Sequence, residues 1–110
     1  MITEATIILP AETPLNAVEM DRLRHDLVSH FGGYTVQSAR GAWLSPNTGK
    51  IYEEPVNVYT IASDWDNQRN VLKLSDIASD AADRLGEECV YVRFPNRGVL
   101  FVTPRECVIE

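Results

Sequence analysis

YTVQSARGAWLSPNTGKIYEEPVNVYTIA, residues 34–62, is the stretch on which the fold turns. It is rich in β-branched and aromatic residues spaced two apart. Its centre, Ser45-Pro46-Asn47-Thr48-Gly49, has the composition of a turn. Two strands joined as a hairpin follow from that pattern. Pro55 cannot donate to a ladder, so the second arm is expected to meet a bulge or a sheet edge there. Gly41 permits a bulge that would re-aim Trp43.

On both sides of this hairpin the apolar period changes from two to 3.6. Upstream, Met20, Leu23, Leu27 and Phe31 form one stripe, with Asp21, Arg22, Arg24 and Asp26 facing away. The helix can start from a Thr13 cap with Pro14 behind it, or from Asn16 with Glu19. Gly32-Gly33 ends it as a left-handed cap would. Downstream, Ser63-Asp64-Trp65-Asp66-Asn67 is dense in capping residues. Val71, Leu74, Ile77, Ala78, Ala81 and Leu85 then trace a second helix that stops at Gly86. Residues 3–9 read as a strand closed by Pro10. Cys89 to Phe94 and Val99 to Thr103 read as two more strands around the turn Pro95-Asn96-Arg97-Gly98. The order β-α-ββ-α-β with an extra terminal strand is that of an α+β, ferredoxin-like split β-α-β sandwich: an antiparallel sheet with two helices on one face. At 110 residues the chain holds one such core, a single domain over residues 1–110.

The motifs Phe31-Gly32-Gly33-Tyr34-Thr35, Gly41-Ala42-Trp43 and Glu53-Glu54 within residues 31–62 resemble those of a group of small bacterial and phage proteins. These carry an F-G-G-x-T, G-x-W and downstream glutamate pattern and are regarded as ferredoxin-like. The resemblance implies that fold and an origin in a phage or bacterium. It assigns no catalytic residue.

Charge narrows the function classes. The formal net charge of −6, from 16 acidic and 10 basic residues, repels the phosphate backbone and makes nucleic acid an unfavourable partner. The basic residues are eight arginines and two lysines. Arg40, Arg93, Arg97 and Arg105 fall in sheet or turn segments, where a guanidinium fork can hold a carboxylate or phosphate locally. No run approaches the roughly 18–20 apolar residues that cross a bilayer, and no basic start precedes an apolar segment, so a cytoplasmic location is expected. Cys89 and Cys107 are too few for a disulfide framework and are expected as buried small hydrophobes. His25 and His30 lie about 140° apart around one helix, which does not make a metal clamp. The five aspartates around the second helix lack calcium-loop spacing. Glycines Gly32 and Gly33 follow a helix, whereas a phosphate cradle needs them before one. No metal, cofactor or nucleophile signature is complete.

What remains are separate candidates. Glu53 and Glu54 are neighbours on a strand and point to opposite faces, so one of them can face a pocket, with Arg40 or Arg93 as counter-charge. Trp43 suits an interface or a ligand platform. The expected ligand-binding set is Tyr34, Arg40, Trp43, Glu54 and Arg93. The first functional expectation is a non-catalytic, phage-encoded binding protein. It would act as a homodimer and hold a host protein or a small anionic ligand. The alternative is a small enzyme of the dimeric α+β barrel type acting on a small organic substrate, with Tyr34, Glu54, Tyr59 and Arg93 in its site.

Overall fold

The computed structural model describes residues 1–104. Arg105 and Cys107 lie outside the described residues, and so do the expectations attached to them. The elements are β1 (Thr3–Pro10), α1 (Ala17–Phe31), β2 (Thr35–Leu44), β3 (Ile51–Ser63), α2 (Gln68–Leu85), β4 (Val90–Phe94) and β5 (Gly98–Val102). They form one antiparallel sheet in the order β2-β3-β1-β4-β5. This is the split β-α-β arrangement with the fifth strand added beside β4.

Alternation in β1 decides which face is covered. Ala5, Ile7 and Leu9 are fully buried, and their cross-strand partners Ile61, Tyr59 and Val92 lie on the same face. The helices present Met20, Leu23 and Leu27 from α1, and Val71, Leu74, Ile77, Ala78 and Ala81 from α2. Together these make one continuous core, and burial of this apolar area is the main force holding the layers together. Trp65, in the turn between β3 and α2, closes the end of the core against Phe31 and Phe94.

Helix ends follow local chemistry. The Asn67 side chain accepts from the Arg69 N–H at 2.9 Å and starts α2. Of the two starts open to α1, the helix uses Asn16. Its side chain turns back to accept from the Thr13 N–H at 2.8 Å, which leaves Thr13-Pro14-Leu15 as a turn outside the helix. Gly32 (φ 87°) and Gly86 (φ 69°) end the helices in the left-handed region, where residues with a Cβ are strained.

The β2–β3 hairpin departs from expectation in one respect. Its register runs unbroken from Thr35↔Thr60 to Leu44↔Ile51, so neither Gly41 nor Pro55 makes a bulge. The edge reading of Pro55 holds. β1 ends at Pro10, opposite Val56, and the Pro55 carbonyl then accepts from the Ala11 N–H at 3.1 Å. The nitrogen of Pro55 points to that same side, where β1 has ended, and the Ala11 carbonyl that it cannot reach as a donor accepts from the Asn16 side chain at 3.2 Å instead. Beyond this point, residues 40–55 form a hairpin paired within itself and run past the sheet as an arm, exposed on both faces along most of its length.

Candidate active site

Because β1 stops at Pro10 while β3 runs on, the sheet has a cleft at that end. The hairpin arm forms one wall. The other comprises the α2–β4 connection, the start of β4 and the far end of β5. The resulting groove is about 300 Å³, which suits a small organic molecule. Ile8, Leu9 and Pro10 line its floor, Gly41, Ala42, Trp43, Glu54 and Val56 its arm side, and Glu87 to Tyr91 with Phe101 the opposite side.

The strand period places these side chains. Trp43, Gly41, Glu54 and Val56 share the sheet face turned away from the helices, as do Ile8, Tyr91 and Phe101. Gly41 lies close to Val56: a Cβ built on it would meet Val56 Cγ1 at 3.4 Å. The aromatic residues come in two pairs. Trp43 stacks on Tyr52 with ring centres 4.9 Å apart and planes 25° from parallel, and Tyr91 meets Phe101 edge-on at 6.0 Å.

The polar lining is acidic. Glu54 on the arm faces the Glu87-Glu88 pair that follows the α2 cap, and among the described residues no arginine or lysine lines the groove. Burial pushes the Glu87 carboxyl above its ordinary range, and the negative charges of Glu54 and Glu88 add to the shift. Partial desolvation at the groove's edge and the negative charges of Glu88 and Glu87 raise the Cys89 thiol, so it stays protonated at neutral pH. Cys89 is exposed, which corrects the expectation of a buried small hydrophobe: it precedes the first buried residue of β4 and opens onto the groove.

Of the residues singled out in the sequence, Trp43 and Glu54 are brought together in this groove. Tyr34 lies at the other end of β1, in a separate shallow depression with Glu4, Phe31 and Thr60, and it packs against Tyr59. Tyr59 belongs to the core under the helices. Its hydroxyl is raised by burial, while the nearby Arg24 guanidinium works in the opposite direction. Arg40 stands on the other face of the hairpin, 3.9 Å from Glu53, with both side chains largely in solvent. Arg93 is on the groove's face of β4 but one pleat repeat beyond Tyr91, outside the lining. Neither arginine is therefore placed to balance Glu54, and an anionic ligand would meet three carboxylates.

Glu87, Glu88, Cys89, Tyr91 and Phe101 were not anticipated. One signal for them was present: two glutamates directly after the Gly86 cap sit at the negative end of a helix dipole, where acids are disfavoured. A local rule broken in that way tends to mark a functional place. Among the described residues no group of three or more His, Cys, Asp or Glu side chains is arranged to hold a metal, and no helix is long and apolar enough to cross a membrane.

No protein-family model matches the chain, and no curated protein matches it. Among solved structures it is similar to a phage SAM lyase in complex with S-methyl-5'-thioadenosine. The TM-score is 0.69 at 16% identity, over 91% of this chain and 88% of the other. It is also similar to a phage SAM lyase in its apo state, with a TM-score of 0.64 at 18% identity, over 96% and 91%. These likenesses establish a shared fold over nearly the whole chain. They also overturn the expectation of a non-catalytic binding protein holding a host protein or an anion. Both similar structures are of an enzyme, one of them with S-methyl-5'-thioadenosine in place.

Proposed function

We propose that the protein is a small enzyme that binds an S-adenosyl sulfonium compound in the groove at the end of β1 and cleaves one of its carbon–sulfur bonds. The observation that carries this reading is the acidic groove itself, on a scaffold shared with an enzyme whose complex contains S-methyl-5'-thioadenosine. A sulfonium substrate with an amino-acid tail is cationic at sulfur and at its ammonium group. The face-to-face placement of Glu54 and Glu87 suits such a cation and opposes an anion.

The chemistry needs no cofactor. S-Methyl-5'-thioadenosine keeps the methyl and adenosyl substituents of sulfur, so the bond lost from S-adenosylmethionine is the one to the aminobutyryl chain. The electron pair of that bond leaves with sulfur, which becomes a neutral thioether. The freed carbon chain is completed either by loss of a proton from the adjacent carbon, giving an alkene, or by closure of its own carboxylate, giving a lactone. These products are isomers, and the alkene signals in a proton NMR spectrum separate them. In either route the substrate loses its positive sulfur, so attraction to the carboxylates falls as product forms and favours release.

Incubation with S-adenosylmethionine and detection of S-methyl-5'-thioadenosine by liquid chromatography tests the reading. The wild-type protein is expected to form the thioether, and Glu54→Gln to lower kcat/KM about tenfold or more through loss of a charge-assisted contact. Absence of thioether formation by the wild-type protein refutes the activity.

Self-association belongs to the same proposal, as does a phage origin with action in the host cytoplasm. Leu44 and Ile51 pair across the hairpin arm on the face opposite to the groove and are 63% and 72% exposed. Two such residues in contact suit a second copy of the chain. Light scattering that finds a monomer at micromolar concentration would refute pairing.

A further inference from the structure

Trp43 is a large aromatic residue left 43% exposed on an arm that the core does not support. Burial therefore does not account for its position. Its plane is nevertheless fixed, because Tyr52, the residue directly across the hairpin, stacks on it at 4.9 Å. Tyr52 does not line the groove and Trp43 does. One face of the indole is thus covered by Tyr52 while the side chain still lines the groove, with Phe101, 66% exposed, on the opposite wall. A flat, pre-oriented indole at a groove wall is the arrangement that receives a planar heteroaromatic ring.

We propose that Trp43 is the stacking platform for the purine of the ligand, and that Tyr52 acts as its positioning residue. This inference rests on the reading of the groove as the site of an adenosyl ligand. It divides the groove by chemistry: the arm's aromatic tip takes the base, and the carboxylates between Glu54 and Glu87 take the sulfur end. Trp43 then sets selectivity for a nucleoside over a bare thioether sugar.

Isothermal titration calorimetry with two uncharged probes tests the division: S-methyl-5'-thioadenosine, and 5-methylthioribose, which lacks the base. Loss of one base-stacking contact weakens binding about 5- to 150-fold. Trp43→Ala is expected to lose that factor for the nucleoside and to bind the base-free sugar as the wild type does. Trp43→Phe, which keeps a ring, is expected to recover most of the affinity. Thermal melting of both variants within about 2 °C of the wild type is the expected sign that the fold is intact, since the side chain is outside the core. Wild-type affinity of Trp43→Ala for the nucleoside overturns the platform and leaves the proposed activity standing. An equal loss for both probes also overturns it, because the indole would then be shaping the groove rather than meeting the base. Failure of the wild-type protein to bind the nucleoside at all removes the reading of the groove on which the inference rests.

Discussion

Replacing Trp65 by phenylalanine removes one ring and one N–H from the point where β3, α1, α2 and β4 meet. The indole is 2% exposed and its Nε1 donates to the Ile61 carbonyl at 3.0 Å. Its rings lie 5.2 Å from Phe31 and 5.5 Å from Phe94. A phenyl group keeps part of both aromatic contacts but leaves the carbonyl without this donor and a void where the second ring was. The void costs roughly 1–2 kcal/mol, less than the full truncation of a buried aromatic residue. The lost hydrogen bond adds about 1–1.5 kcal/mol. The sum is about 2–3.5 kcal/mol. With an unfolding entropy of about 0.23 kcal/mol/K for a chain of this length, Tm should fall by about 9–15 °C. Circular dichroism at 222 nm through a thermal ramp measures this. Urea denaturation with an unchanged m-value would show that the folded state, and not the denatured ensemble, has changed. Trp43→Phe is the same chemical change on the exposed arm and serves as the control, with a shift of about 2 °C or less. A loss below about 4 °C for Trp65→Phe would refute the view that this turn residue closes the core.

Two further outcomes follow from charges around the groove and the hairpin. Burial raises the Glu87 carboxyl above its ordinary value of 4.5, so it binds more protons folded than unfolded from that pH upward, and its contribution to stability is lost as pH rises through this window. Glu87→Gln should therefore match the wild type near pH 4 and melt higher near pH 7.5; equal melting at both values would contradict the carboxylate's crowding. Glu53→Gln breaks an ion pair of 3.9 Å between largely solvated side chains on the far face of the hairpin, and chemical denaturation should show a change below about 0.5 kcal/mol, with thioether formation unaltered.

The element order was legible because each part of it rests on local chemistry. The stripe Met20-Leu23-Leu27 and the stops at Gly32 and Gly86 act within a few residues of themselves, and the structure has them as read; Asn67, within the expected capping stretch, starts α2, and Asn16, one of two starts open to α1, precedes that helix without a side-chain cap. The candidate site was legible only in part. Trp43 and Glu54 stood out as breaks in a regular alternation, and both line the groove. Their partners did not stand out, because Glu87 and Phe101 reach the groove through sheet order and strand length. That β1 ends three residues before the turn chemistry of Thr13, while β3 continues for five more, is a tertiary outcome. Tyr34, Arg40 and Arg93 illustrate the converse. Their residue types suggested binding, but alternation and register put them at the other end of β1, on the other face of the hairpin and beyond the lining.

The unsupported arm of the hairpin has a consequence for how such a protein can change over generations. Residues 40–55 pair with each other, so strand pairs can be added or removed there while the packed layers stay untouched. Side chains alternate with a period of two, and a change of two residues in each strand preserves which of them look into the groove. A change of one inverts the set. Depth of the groove can therefore drift in steps of a pleat, with the fold held constant, and a small scaffold can explore differently sized substrates without risking its core.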